Sequence, residues 1–285
     1  MNLRELSAIT IYKLGLARWL FIHIPKNAGV AIRKNPELST RLVGADPWFH
    51  VSRDYTRELA AYMAERGEHH GFQHARLRDI RADVRARLQP VAVVRNPWAR
   101  VVSRYRFART AIEIGTADAD YVAPTFEAFL EERHVYGDLP FYWHRAIRGW
   151  YPQKDYVVDE AGELGAHVLR QENLAAEATR YFGLKKPLPV RNRSTAASDK
   201  PWRDYYEDRT RQIVADWYAE DIDFFGFDFD TSATRNVFFS TIRSRRLAFR
   251  IQGTASWNTD LNAPCHLSRD GETFTGVFRA TACCG

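Results

Sequence analysis

The sequence predicts an α/β fold: a P-loop-like, three-layer arrangement with a central parallel sheet flanked by helices. Three observations carry this expectation. Two short apolar runs, residues 19–24 and 91–94, each lead into a turn bearing a cation, Lys26 or Arg95, and then a helix start. Strand-like runs alternate with amphipathic helical stretches, the order that builds a parallel sheet covered on both faces. The chain has 285 residues and 45% apolar content, enough to bury a core in one such domain and leave an appendage.

Taken in order, residues 1–18 read as a lead-in with a short helix, and 19–24 as a buried strand. A helix begins over 30–34, and Pro36 stops it. Residues 41–50 read as a loop around Pro47. Residues 53–66 carry Tyr55, Leu59, Tyr62 and Met63 at helical spacing, closed by Gly67. Over 73–88, Leu77, Ile80, Val84 and Leu88 make the apolar stripe of a further helix, with arginines on its other side. Residues 91–94 form the second buried strand. The helix over 97–109 has Asn96 at its N-cap and Pro97 at its first position, both favoured there.

Residues 110–124 are acidic and loop-like, 126–134 a short helix, and 141–151 aromatic-rich and helical. Strands are expected at 156–159 and 167–170 around a turn at Gly162. A helix over 174–182 is closed by Gly183. A polar loop covers 187–200. The helix over 205–220 turns Ile213, Val214, Trp217 and Tyr218 inward, and 222–229 packs aromatics at its end. Residues 1–230 are expected to form one domain. Residues 231–285 form a C-terminal extension whose pattern fades and which the sequence assigns no role.

The net charge is +6, but the excess is local: ten arginines against Asp79 and Asp83 between residues 76 and 109. Such a patch attracts anions. Nucleic acid would also require a reading helix or a base-stacking platform, and neither is evident, so no nucleic-acid partner is expected. The three cysteines fall in the last 21 residues and give neither a disulfide framework nor metal-ligand spacing. A reducing, cytoplasmic setting fits. No signal peptide or integral membrane segment is readable, since Arg4, Glu5, Lys13 and Arg18 interrupt the apolar run at the N-terminus. A membrane-linked acceptor remains compatible with this.

Two stretches carry chemistry. In LFIHIPKNAGVA (residues 20–31) a strand, a small-residue turn and a helix start follow one another. Such a turn presents backbone N–H groups to an anion, Gly29 permits close approach, and Lys26 adds a mobile charge. Taken alone, it reads equally as a plain turn with a surface lysine. The GxxxxGK[ST] and GxGxxG patterns are absent, and no Ser or Thr is placed to hold magnesium. In VAVVRNPWARVVSRY (residues 91–105), Asn96, Arg100 and Ser103 share one helix face, with Trp98, Val101, Val102 and Tyr105 opposite. Arg95 offers a planar fork to a phosphate and Ser103 a hydroxyl. For Arg100 a structural salt bridge is the competing reading.

The pair of motifs resembles the sulfotransferases that use 3′-phosphoadenosine 5′-phosphosulfate (PAPS), closest to the carbohydrate O-sulfotransferase branch and its bacterial relatives. Downstream, RQENL (170–174), RNRS (191–194) and DWYAEDIDFFGFDF (216–229) resemble that branch's ENL segment, Asn-x-Ser loop and closing aromatic helix. The resemblance covers residues 19–229. It implies that Pro25, Lys26, Asn27, Ala28, Gly29, Val30 and Ala31 form the loop for the 5′-phosphosulfate end. Arg95 and Ser103 would hold the 3′-phosphate, with Arg193 adding a phosphate contact. The family favours PKTGGTS, so the hydroxyls expected at the last two loop positions are replaced by Val30 and Ala31. The backbone donors survive that change.

A base for the acceptor hydroxyl is His or Glu in this family. His74, in HHGFQHAR, is the candidate, with His70 the runner-up, His69 trailing, and His23 structural within its strand. A histidine with its ordinary pKa near 6.5 suits general-base work. The expected reaction is in-line sulfuryl transfer from PAPS, with Lys26 and His74 catalytic and no metal. A carbohydrate hydroxyl is the first expectation for the acceptor, then a small-molecule or lipid-linked hydroxyl. Two rivals remain: a nucleotide-dependent phosphoryl transferase, and a degenerate anion- or glycan-binding domain without turnover.

Overall fold

A computed structural model describes residues 3–188, 200–230, 265–269 and 272–276. Four parallel strands, β1 (Trp19–Ile22), β2 (Leu42–Gly44), β3 (Gln89–Val94) and β4 (His167–Arg170), lie in the order β2–β1–β3–β4. Phe21 pairs with Val91 on one side and Gly44 on the other, and Val93 pairs with Leu169. The helices are α1 (Leu3–Lys13), α2 (Gly29–Arg33), α3 (Arg53–Glu65), α4 (Ala82–Arg87), α5 (Pro97–Glu113), α6 (Phe126–Glu131), α7 (Arg133–Tyr136), α8 (Lys154–Val157), α9 (Leu174–Phe182), α10 (Asp208–Trp217) and α11 (Ala219–Phe225).

Strand alternation divides the sheet's side chains between two cores. Trp19, Phe21, Val91, Val93 and Leu169 meet Ile32 of α2 and Leu174, Ala178 and Phe182 of α9. Leu20, Ile22, Ala92, Val94 and Val168 meet Tyr12 of α1, Val84 of α4, Val157 of α8 and Phe225 of α11. This is the expected α/β layering. A third cluster joins α5, α6 and α10 through Val101, Phe129, Trp150, Val214 and Tyr218. In α3, Leu59 and Met63 pack on Tyr142. No helix among the described residues is long and apolar enough to cross a membrane.

Several expected elements differ. The helix expected over 205–220 is α10 followed by α11, with a break at Tyr218. Residues 73–88 are not one helix: short 3-10 turns at Phe72–His74 and Leu77–Asp79 precede α4. Ile80 bridges His50 instead, and Arg81 N–H donates to the Phe49 carbonyl (3.1 Å), so the backbone is engaged across the chain. The stripe Leu77, Ile80, Val84 and Leu88 is still buried. Residues 141–151 hold only a 3-10 turn, Tyr142–His144. There, side chains take the carbonyls that a helix would use: Arg104 bonds Ile147, Trp217 bonds Trp150 (2.8 Å), and Arg100 bonds Tyr151 (3.1 Å).

Of the expected strand at 156–159, residues 156–157 end α8, because Asp221 accepts the N–H groups of Gln153 and Lys154 (both 2.8 Å) and caps the turn, while Val158 keeps an antiparallel bridge to Leu164. The expected loop at 41–50 contains the short edge strand β2. In the C-terminal extension, β5 (Cys265–Arg269) and β6 (Glu272–Gly276) pair antiparallel. Asp270 and Gly271 between them in sequence are the pair that tight hairpins favour, a signal the fading periodicity masks. The RNRS segment, including Arg193, lies outside the described residues.

Candidate functional site

The strand order creates the site. From β1 the chain passes to β2 on one side, and from β3 to β4 on the other. The carboxyl ends of β1 and β3 therefore flank a topological switch point, where open α/β sheets bind ligands. The two cation-bearing loops leave the sheet at this place.

The first loop adopts a backbone that its residue types disfavour. Lys26 (φ 66°) and Ala28 (φ 59°) are left-handed, at a cost of about 1 kcal/mol each. Left-handed residues flanking Asn27 give the alternation that turns successive N–H groups to one side as an anion nest. Among the described residues, the N–H groups of Lys26, Asn27, Ala28 and Gly29 take no backbone acceptor. The Ala31 N–H is already given to Ala28 (3.0 Å), and the Ala31 side chain is buried. Val30 is half-buried and brings no hydroxyl.

External contacts hold this strained loop. Buried Asn27 donates its amide to the Val93 carbonyl (2.8 Å) and to Gln153 Oε1 (2.7 Å), so its side chain points into the protein. Arg95 Nη1 donates to the Lys26 carbonyl (3.3 Å), and Arg100 Nε to the carbonyl of buried Pro25 (3.2 Å). Gly29 is required because a Cβ there would lie 2.2 Å from the His23 ring. Lys26 Nζ sits 3.7 Å above the centroid of the Phe107 ring, a cation–π contact. Burial, and then the charge of Arg95, push the Lys26 ammonium down to about 7.

The second loop supports itself. Asn96 accepts the N–H groups of Trp98 (3.1 Å) and Ala99 (3.3 Å), as its position before Pro97 predicts. Its own N–H goes to Glu172 (2.7 Å). Gln153 bonds both backbone groups of Arg95, accepting its N–H (2.9 Å) and donating to its carbonyl (2.8 Å). The same side chain therefore binds the first loop through Asn27 and the second through Arg95. Asp221 accepts from the Gln153 amide as well (3.2 Å), and burial pushes its carboxyl up to about 6.

Three arginines stand behind these loops. Arg95 is half-buried, Arg100 is 1% exposed and Arg104 is 0% exposed. Among the described residues none of them forms an ion pair with a carboxylate, and Arg95 Nε and Arg100 Nη2 are buried without an acceptor. Burial pushes both Arg95 and Arg104 down to about 10. Arg104 donates to the Ile147 carbonyl and to the Tyr218 hydroxyl (3.1 Å). The salt bridge weighed for Arg100 is replaced by its bonds to the Pro25 and Tyr151 carbonyls. Half-buried Ser103 lies between Arg100 and Phe107 at helical spacing, on the face of α5 that meets the first loop.

His74 is buried beside them. Its Nδ1 donates to the His23 carbonyl (2.7 Å), three residues before Lys26, which leaves Nε2 as the acceptor. The Gln73 amide meets that nitrogen at 3.1 Å. Burial pushes His74 down to about 4, not the ordinary value near 6.5 that the sequence suggests. The runner-up His70 is stacked on Phe72 at 3.7 Å, and His69 Nδ1 accepts the Gly71 N–H (3.0 Å).

Gln153, Asp221, Arg104 and Phe107 were not singled out by sequence reasoning; Glu172 lies within the RQENL segment that was. Arg104 lies within the 91–105 motif and Asp221 within the 216–229 segment, but neither motif marks that position; Gln153 sits in no recognisable motif, and only the repeating face of α5 pointed toward Phe107. Among the described residues no group of three or more His, Cys, Asp or Glu side chains is placed to hold a metal. Comparisons with protein-family models, curated proteins and solved structures yield no match.

Proposed function

We propose that the chain is a sulfotransferase that moves the sulfuryl group of PAPS to an acceptor hydroxyl, a carbohydrate hydroxyl first. One observation carries this reading: Lys26, Arg95 and Arg100 converge at the switch point without carboxylate ion-pair partners, next to a neutral histidine whose Nε2 lone pair meets the Gln73 amide. Uncompensated buried cations are costly, and an anionic ligand offsets that cost. A nucleotide with phosphates at both ends suits two cationic loops side by side.

In this scheme the nest of residues 26–29 and Lys26 hold the phosphosulfate end, and Arg95 and Ser103 hold the 3′-phosphate. The donor supplies an activated sulfur, attacked in line by the acceptor oxygen as the bond to the 5′-phosphate oxygen breaks. His74 Nε2 takes the hydroxyl proton. Lys26 stabilises charge growing on the departing phosphate oxygen, the electrostatic duty that dominates such transfers.

A second reading is anion or glycan binding without turnover. It is favoured by Val30 and Ala31 in place of hydroxyl residues, and by the Ala31 N–H being already engaged. Labelled-sulfate transfer from PAPS to glycans of the source cell separates the two. Transfer supports the enzyme. Stabilisation by adenosine 3′,5′-bisphosphate with no transfer supports the binding domain. A thermal shift with ATP and magnesium but not with the bisphosphate would overturn both in favour of a phosphoryl transferase.

A further inference from the structure

We propose that His23 is a second ligand-contacting histidine of the first loop, donating its Nε2–H to the anion bound there. The proposal deepens the anion-site reading above and rests on it.

The tautomer follows from the partners. Arg33 Nη1 lies 3.0 Å from His23 Nδ1. A guanidinium has donors and no acceptor, so Nδ1 must carry the lone pair and the proton must sit on Nε2. His74 is set the opposite way. Its Nδ1 faces the His23 carbonyl, which only accepts, so its Nε2 carries the lone pair. Burial keeps both imidazoles neutral near pH 7, so each holds a single proton.

The placement follows from the packing. The two rings lie 4.6 Å apart, and the face of His23 stacks on Phe21 at 5.6 Å. The Cδ2–Nε2 edge of His23 lies over Gly29, with Nε2 2.4 Å from where a Cβ would be. The absence of a side chain at Gly29 therefore opens the loop to the imidazole. Among the described residues nothing is bonded to His23 Nε2. The site thus holds a donor histidine and an acceptor histidine side by side, each fixed by a different neighbour. His23 would serve the anion, and His74 the acceptor hydroxyl.

The test is nitrogen-15 spectroscopy of the histidine rings in the intact protein, without and with ligand. The free protein should show His23 protonated at Nε2 and His74 at Nδ1. Adenosine 3′,5′-bisphosphate, and separately inorganic phosphate, should shift the His23 Nε2 signal. His23→Phe keeps the ring and loses the donor; it should weaken bisphosphate affinity about tenfold or more. A proton on His23 Nδ1, or an unmoved Nε2 signal when ligand saturates the protein, overturns the proposal. Tight bisphosphate binding that His23→Phe leaves unchanged also overturns it, while leaving the nucleotide reading standing. Conversely, if phosphate moves His23 but the bisphosphate binds no tighter than phosphate, the nucleotide reading fails and the His23 contact stands. The wild-type spectra decide the matter if the variant does not fold.

Discussion

The two cation-bearing loops are built in opposite ways. The first is almost all backbone, bent through left-handed residues at Lys26 and Ala28, and held from outside by Asn27, Arg95 and Arg100. The second is a capped helix start whose working groups are side chains on a rigid element. Arg95 and Arg100 belong to the second loop yet grip carbonyls of the first. The difference teaches that these guanidiniums have two jobs, shaping a neighbouring backbone and supplying charge, and that substitutions should separate them.

The largest expected effect is Lys26→Ala. It removes the one mobile charge of the first loop and should lower sulfate-transfer turnover about a thousandfold, measured by initial rates at saturating donor. Turnover near wild type would remove Lys26 from the chemistry. Next is Gln153→Leu, which unties both loops at once and leaves Asn27 and Asp221 short of partners. Bisphosphate affinity should fall roughly a hundredfold, and unfolding free energy in urea by about 3 kcal/mol. If only stability fell, the loops would be shaped without this clamp.

Arg95→Met should weaken bisphosphate binding roughly thirtyfold by calorimetry. Its stability cost should be under about 1 kcal/mol, because a half-buried cation without a carboxylate ion pair is removed. Equal losses in both would make Arg95 a structural residue.

The smallest effects are in pH. Lys26 titrates near 7 in the folded chain and near 10.5 when unfolded. Anion affinity should therefore decline as pH rises from 6 to 8, as Lys26 loses its charge. Stability should move the other way. Between about 7 and 10.5 the unfolded chain holds the extra proton, so unfolding free energy rises with pH there. Lys26→Met should flatten both trends. His74, held down to about 4, should keep the acidic limb of kcat/KM well below 6. A limb at 6.5 would point to another base.

What could be read in the sequence was local. The strands beginning at Trp19 and ending at Val94, the Asn96 cap with Pro97, and the helices closed by Gly67 and Gly183 announce themselves through neighbours a few residues away. What could not be read was tertiary. Residues 141–151 lose their helix to Arg100, Arg104 and Trp217, and 156–157 become helical because Asp221 caps them. The same applies inside the site. Arg95 and Lys26 stand out as cations after strands, whereas Gln153 stands out only once Asn27 and Arg95 are seen on either side of it. His74 was legible as a candidate, but its lowered pKa comes from its burial and has no sequence signal.

The Gln153–Asp221 contact also has a consequence in time. The peptide emerges from the ribosome N-terminus first, so the Lys26 loop is made long before the residues that hold it. Asn27 waits for Gln153, and Gln153 for Asp221, 194 positions after Asn27. A nascent chain can pair β1 with β3 and still lack a finished anion cradle. On the proposed reading, competence to bind an anion would come only after Asp221 has been made.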